Sequence, residues 1–203
     1  MDLTDTALLQ GFAAATRHVS PLSDVSLNAV TALMKTRHFD SSAWLLQAGQ
    51  RAQWGFYVAN GLVRELYIDT AGEEHTRAFV AADKFTGSLL DLLSGQPSVT
   101  WLQALERTTV LEFSYADFDA LCEQHADLAR LARRVAEDLH VRKARREYEL
   151  LALPAAERYA QWQHQHPSLD ERISKRILAS YLGITPEHLS RLRRASVLRK
   201  DGG

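Results

Sequence analysis

Between Ala179 and Arg194 a small residue, a glycine, a threonine and a proline stand at spacings that suit two helices meeting at a sharp turn. Ala179 lets a crossing helix approach closely. Gly183, four residues later, can supply the positive φ that a tight turn demands. Ile184 fills the inner corner. Thr185 can cap the second helix, Pro186 suits its first position, and Glu187 lies at its positive end. Leu189 and Leu192 then form the buried side, so Glu187, His188, Arg191 and Arg194 face outward. A plain helical hairpin with a charged face shares some of these marks. The joint pattern favours a helix-turn-helix.

The outward residues suit a nucleic acid. Arg191 can give two hydrogen bonds to guanine O6 and N7, and Glu187 can accept one from cytosine N4. Lys175 and Arg194 can hold phosphates, with Arg193, Arg199 and Lys200 nearby in support. The expected double-stranded DNA contacts are Lys175, Thr185, Glu187, His188, Arg191 and Arg194. Charge agrees. The net charge of −1 hides 8 Lys+Arg against 15 Asp+Glu in residues 1–125, and 16 against 10 in residues 126–203. A basic end on an acidic body suits a polyanion, although a solvated arginine-rich tail would show the same balance.

Upstream the pattern alternates. Two short helical segments, around Leu8, Leu9 and Phe12 and then around Leu27, Val30, Leu33 and Met34, lead into strand-like pieces punctuated by glycine. Asn60-Gly61 between two apolar runs is a strong hairpin signal. Asp69-Thr70-Ala71-Gly72 marks another turn, and residues 99–105 and 109–114 are predicted to pair. Strands at such spacing indicate a β-roll or jelly roll. A short helical insert, residues 88–93, closes at Gly95. The predicted class is α+β: a sensor-like β-roll domain over 1–125, a long helix over 126–153 and a helical DNA-binding domain over 154–203. On the long helix, Leu128, Leu131, Val135 and Leu139 form a narrow apolar seam. Such a seam can meet a second copy or the chain's own β domain, and we expect the former.

The order of these pieces, together with the stretch Leu178-Ala-Ser-Tyr-Leu-Gly-Ile-Thr-Pro-Glu-His-Leu-Ser-Arg-Leu-Arg-Arg194, resembles the Crp/Fnr family of bacterial transcription regulators. That resemblance implies a cyclic-nucleotide-binding-like domain, a homodimer on a two-fold related DNA site, and Glu187 and Arg191 as the main base readers. RNA polymerase is a candidate further partner. Two departures stand out. Members of the family that bind cyclic AMP carry a Gly-Glu pair in the insert and an Arg-Ser or Arg-Thr pair soon after. Here the insert reads Gly87-Ser88, and the later segment reads Gln96-Pro97-Ser98-Val99-Thr100. A phosphate buried without its cation binds poorly, so control by cyclic AMP is not expected. An unidentified small-molecule effector would sit near Arg77, Gly87, Ser88, Ser98 and Thr100 and the start of the long helix. The second departure is length: residues 195–203 are too few for the family's usual β wing.

The remaining residues argue against other classes. A single cysteine, Cys122, gives no intramolecular disulfide, cysteine-rich zinc site or cysteine-ligated iron–sulfur cluster, and suits a reducing cytoplasm. His164-Gln165-His166 lacks further ligands, so no metal or cofactor is expected. No nucleophile motif or phosphate loop occurs, and no enzyme is expected. Apolar runs are too short to span a membrane. Trp44, Trp54, Trp101 and Trp162 read as core aromatics. The rival class is an effector-binding or scaffolding protein whose C-terminal helices hold a protein partner.

Overall fold

The computed structural model describes residues 3–200, with side chains from 6 to 195. The chain divides into two compact units: Met1–Leu66 with Phe79–His140, and Tyr67–Ala78 with Val141–Gly203.

The first unit begins with α1 (Leu3–Val19) and α2 (Asp24–Ala32). Ser23 caps α2, its hydroxyl accepting from the Ser26 amide at 3.2 Å. The strands are β1 (Lys35–Phe39), β2 (Trp44–Leu46), β3 (Trp54–Asn60), β4 (Leu62–Ile68), β5 (Glu74–Ala81), β6 (Lys84–Thr86), β7 (Trp101–Ala104) and β8 (Thr108–Ser114). The insert α3 (Leu89–Ser94) separates β6 from β7, and α4 (Tyr115–Gln124) follows β8. The strands form two antiparallel four-stranded sheets, ordered β1-β8-β3-β6 and β2-β7-β4-β5. This is the predicted β-roll.

The connections differ from the sequence expectation at two places. β3 and β4 lie in different sheets, so Asn60-Gly61 is not a hairpin turn but a corner where the chain changes sheet. β7 and β8 likewise part company, and the expected pairing of 99–105 with 109–114 is absent. The two corners pack on each other. Leu105 N–H donates to the Leu62 carbonyl at 2.8 Å, and Leu62 N–H to the Thr108 hydroxyl at 3.3 Å. The turn that does close a hairpin is Asp69–Gly72, between β4 and β5. There the Asp69 carboxylate accepts from the amides of Ala71 and Glu73, both at 2.9 Å, and from His75 at 2.8 Å.

Side-chain alternation sorts the core into two layers. Phe56, Val58, Val63, Val80, Leu102 and Val110 fill one cluster. Their neighbours Tyr57 and Leu111 turn the other way and pack with Phe12, Val30 and Leu128. Both faces of β3 and β8 are thus covered, which explains why β3 reads as a near-continuous apolar run.

The long helix α5 (Ala126–Ala152) has its predicted extent within a residue. The first half of its seam is buried within the first unit. Leu128 and Leu131 are 0% and 2% exposed, and Leu128 belongs to the first unit's own core. The apolar helix layer claims them because α1, α2 and α4 present matching faces.

The second unit holds the C-terminal part of α5, then α6 (Ala155–Gln165), α7 (Lys175–Leu182) and α8 (Pro186–Lys200). Its core is Tyr159, Trp162, Leu169, Ile173, Leu178, Ala179, Leu182 and Leu189, all buried. The tip of the β4–β5 hairpin belongs to this unit. The Ser180 hydroxyl accepts from the Thr76 amide at 2.9 Å and donates to the Glu74 carbonyl at 2.6 Å, fixing α7 to that tip. Trp54 departs from the expected core role, being 40% exposed, whereas Trp162 is buried and Trp44 meets Trp101 edge-on at 5.1 Å.

Candidate DNA interface and effector region

Each end of the α7–α8 turn is fixed by a local hydrogen bond. Ser174 caps α7, accepting from the Ile177 amide at 3.3 Å. Gly183 ends it at φ 65° and ψ 39°, and the Ile184 amide reaches back to the Ala179 carbonyl at 3.1 Å. Thr185 caps α8, its hydroxyl accepting from the His188 amide at 3.2 Å. Ala179 and Leu189 are fully buried, so the helices cross where the small residue permits.

On this frame Thr185, Glu187, Arg191 and Arg194 are exposed and His188 is half-buried. Lys175 is exposed, its ammonium donating to the Ser190 hydroxyl at 3.1 Å. The Glu187 carboxyl is held below its ordinary value by its own amide and the Thr185 hydroxyl, with Lys175 and Arg191 adding attraction. Glu187 is therefore an anion beside two cations, able to accept but not to donate.

Part of the basic charge is spent inside the unit, which composition could not show. Arg193 pairs with Asp170 at 2.8 Å. The Arg146 guanidinium lies 3.9 Å over the Tyr181 ring, donates to the Tyr181 carbonyl and pairs with Glu149. Arg158 donates to the carbonyls of Leu182 at 3.0 Å and Leu153 at 2.5 Å. Arg146 and Arg158 thus satisfy carbonyls at helix ends. Arg176, not singled out from the sequence, has a side chain 75% exposed beside Lys175. The side chains of Arg199 and Lys200 lie outside the described residues. His166 packs on Trp162 at 4.5 Å, and burial pushes its pKa down. Among the described residues no group of His, Cys, Asp and Glu could hold a metal. No helix there is long and apolar enough to cross a membrane.

The residues expected to line an effector site fall in both units. Arg77 lies in the second unit, donating to the Tyr67 hydroxyl at 2.8 Å. Ser88, Ser98 and Thr100 are buried together in the first unit. Ser88 meets Thr100 at 2.9 Å, and Ser98 donates to Asp91 at 2.5 Å. Burial pushes the Asp91 carboxyl up, but hydrogen bonds from Ser88, Ser98 and Thr100 outweigh it and hold the group below its ordinary value. The sequence reading missed Asp91. It is an aspartate inside an otherwise leucine-rich insert, four residues into Ser88-Leu-Leu-Asp. Of the five, Gly87 borders an apolar cavity that the other four do not line.

The first unit is a β-roll of two antiparallel sheets with an insert helix, and the second unit ends in a helix-turn-helix. Residues 36–125 match the cyclic nucleotide-binding domain family. Over 122 residues the chain is 28% identical to the cAMP-activated global transcriptional regulator CRP of Salmonella typhimurium, covering 60% of this chain and 58% of that protein. It spans less than two thirds of the length of such relatives. Among solved structures, FixK2 from Bradyrhizobium japonicum has a TM-score of 0.70 at 20% identity, covering 83% of this chain and 86% of that one. The c-di-GMP responsive global regulator CLP of Xanthomonas campestris has a TM-score of 0.71 at 18% identity, covering 89% and 93%. Residues 36–125 are thus similar to a cyclic nucleotide-binding domain, and the chain shares the fold of FixK2 and CLP.

Proposed function

We propose that this chain is a homodimeric transcription regulator of Crp/Fnr type that reads double-stranded DNA with α8. The observation that carries the reading is the capped α7–Gly183–α8 turn, which leaves Glu187, Arg191 and Arg194 exposed on one helix. A helix so presented fits the major groove, and a two-fold dimer sets half-sites about 34 Å apart. RNA polymerase is the partner such a regulator would engage once on DNA. The protein works in the cytoplasm and without an enzymatic step.

Selection of bound sequences from random DNA, followed by mobility shift, tests the reading. Arg191→Ala should cost about 1–3 kcal/mol and relax preference at one base position of each half-site. Lys175→Ala should weaken all sequences alike and make the salt dependence shallower by about one phosphate contact. Salt-independent failure to bind any DNA, with capture of a protein partner by the same helices, would transfer the role to a scaffold.

Cyclic AMP is not the controlling ligand in this reading. Ser88 in the insert and Ser98 in the later segment are buried, Ser88 bonded to Thr100 and Ser98 to Asp91. The charge beside them is the anion of Asp91, which repels a phosphate. Calorimetric titration should give no heat of binding at micromolar cyclic AMP. A saturable isotherm there sinks the claim.

The dimer contact in this reading shifts along α5. Val141, Ala144, Tyr148 and Leu151 repeat at intervals of three, four and three residues, and all four are exposed. That is the a/d spacing of a two-helix coiled coil.

A further inference from the structure

We propose that the first unit binds an uncharged apolar small molecule, of about a dozen non-hydrogen atoms, in a cavity between its outer sheet face and its helices. The cavity measures about 340 Å³ and is bordered entirely by residues of this unit. Its walls come from β3, β6 and β8 on one side, and from α1, α2, α3, α4 and α5 on the other. Phe12, Phe85, Phe113, Phe118, Leu92 and Leu139 supply most of the chemistry.

This is not the buried polar cluster of Ser88, Ser98 and Thr100, none of which borders it. No residue of the β2-β7-β4-β5 sheet does so either. The cavity lies in the helix layer, beside the cluster of Phe12, Val30, Tyr57, Leu111 and Leu128, rather than between the sheets.

Its size and lining set the ligand class. Protein interiors are close-packed, with few voids larger than a water molecule. An apolar cavity of about 150 Å³ takes one benzene ring, so this one suits two rings or a chain of about twelve carbons. Ligand sites begin near 300 Å³ and are mostly apolar. Thr86 spends its hydroxyl on Glu65 at 2.9 Å. Arg133, the one cation on the border, is exposed and paired with Glu137 at 2.5 Å. No buried charge is left over to meet a phosphate or carboxylate. Leu93, 67% exposed, stands at the rim as the entrance. Val135 and Leu139 face this space, which is why half of the predicted seam is neither in the tight core nor free.

The inference concerns binding alone and holds whether or not the chain reads DNA. The test titrates the full chain with N-phenyl-1-naphthylamine, whose fluorescence rises in apolar surroundings, and competes it with biphenyl. We expect one site per chain, a dissociation constant of about 10 μM or tighter, and displacement by biphenyl. Ala136→Phe, which projects into the cavity from α5, should weaken the probe at least about tenfold by filling the space. Leu93→Asp, at an exposed position that leaves the fold intact, should weaken it about threefold or more by taking an apolar contact from the entrance. Absence of saturable binding overturns the proposal. So does unchanged affinity in a folded Ala136→Phe, or in Leu93→Asp should the first variant not fold. A chain that binds no probe, and whose dimer Ala136→Phe converts to monomer in sedimentation, would show a second copy's side chains to be the occupant.

Discussion

Gly61→Ala should lower the stability of the first unit by about 3 kcal/mol or more, seen as a large fall in the urea midpoint. Two costs add at this corner. Gly61 has φ +100°, a conformation that side-chain-bearing residues rarely adopt. A Cβ there would also lie 2.5 Å from the Thr108 hydroxyl, 2.7 Å from the Thr108 Cα and 2.9 Å from the Arg107 carbonyl. The last two are backbone of the second corner, which cannot swing aside without disturbing the start of β8. Gly72→Ala separates the two costs. Gly72 has φ +83° but nothing within 4 Å of a Cβ, so it should lose only about 1 kcal/mol. Equal losses at the two positions would mean that the packed corner contributes nothing.

Leu151→Asp combined with Val141→Asp should convert a dimer to a monomer in sedimentation, and weaken binding to a two-fold DNA site by about a hundredfold or more. The second figure follows from the first, since joining two readers makes the second contact intramolecular. Val141, Tyr148 and Leu151 are 54%, 59% and 80% exposed, and a chain has little reason to show three large apolar side chains in a row on one helix. Two carboxylates on each copy would face two others across the interface, and burying them unpaired is costly. Because the residues are exposed, the substitutions should leave the far-ultraviolet circular dichroism unchanged. Lys143→Asp, off the stripe, is the control. An unaltered sedimentation coefficient in the double variant would exclude this stripe as the interface. Loss of dimer with full retention of affinity would instead mean that one copy suffices on DNA.

How far the sequence could be read depended on the range of the interaction. The helix-turn-helix was legible because its determinants act within about four residues. Ser174 and Thr185 bond amides three positions on, and Gly183 needs no partner to adopt its conformation. The interior strands were legible in number and approximate extent because glycine and alternation are also local. Their partners were not. Asn60-Gly61 correctly marks a break between two strands, but the same two residues serve a hairpin or a sheet change. Only the partners of β3 and β4 decide which.

The surroundings of the seam on α5 were hidden for the same reason. Spacing told that Leu128, Leu131, Val135 and Leu139 share a face, and the structure agrees. It could not tell what covers that face, because Phe12, Val30 and Tyr57 reach it from far along the chain. The exposed stripe from Val141 to Leu151 stayed hidden among arginines until burial was known. Charge behaved likewise: the basic C-terminal balance was real, yet Arg146, Arg158 and Arg193 are turned inward onto carbonyls, a ring and Asp170.

By itself, then, the sequence determined the turn before α8, the exposed positions of Glu187, Arg191 and Arg194, and the absence of a carboxylate at Ser88 and of a guanidinium in the segment Gln96–Thr100. The tertiary structure alone decided that β3 and β4 part at Gly61, that Asp91 closes the polar cluster, and that an apolar cavity lies against α5. The physical reason is that caps and turns are settled by neighbours in sequence. Burial, register between strands and the use made of a charge depend on groups that only folding brings together.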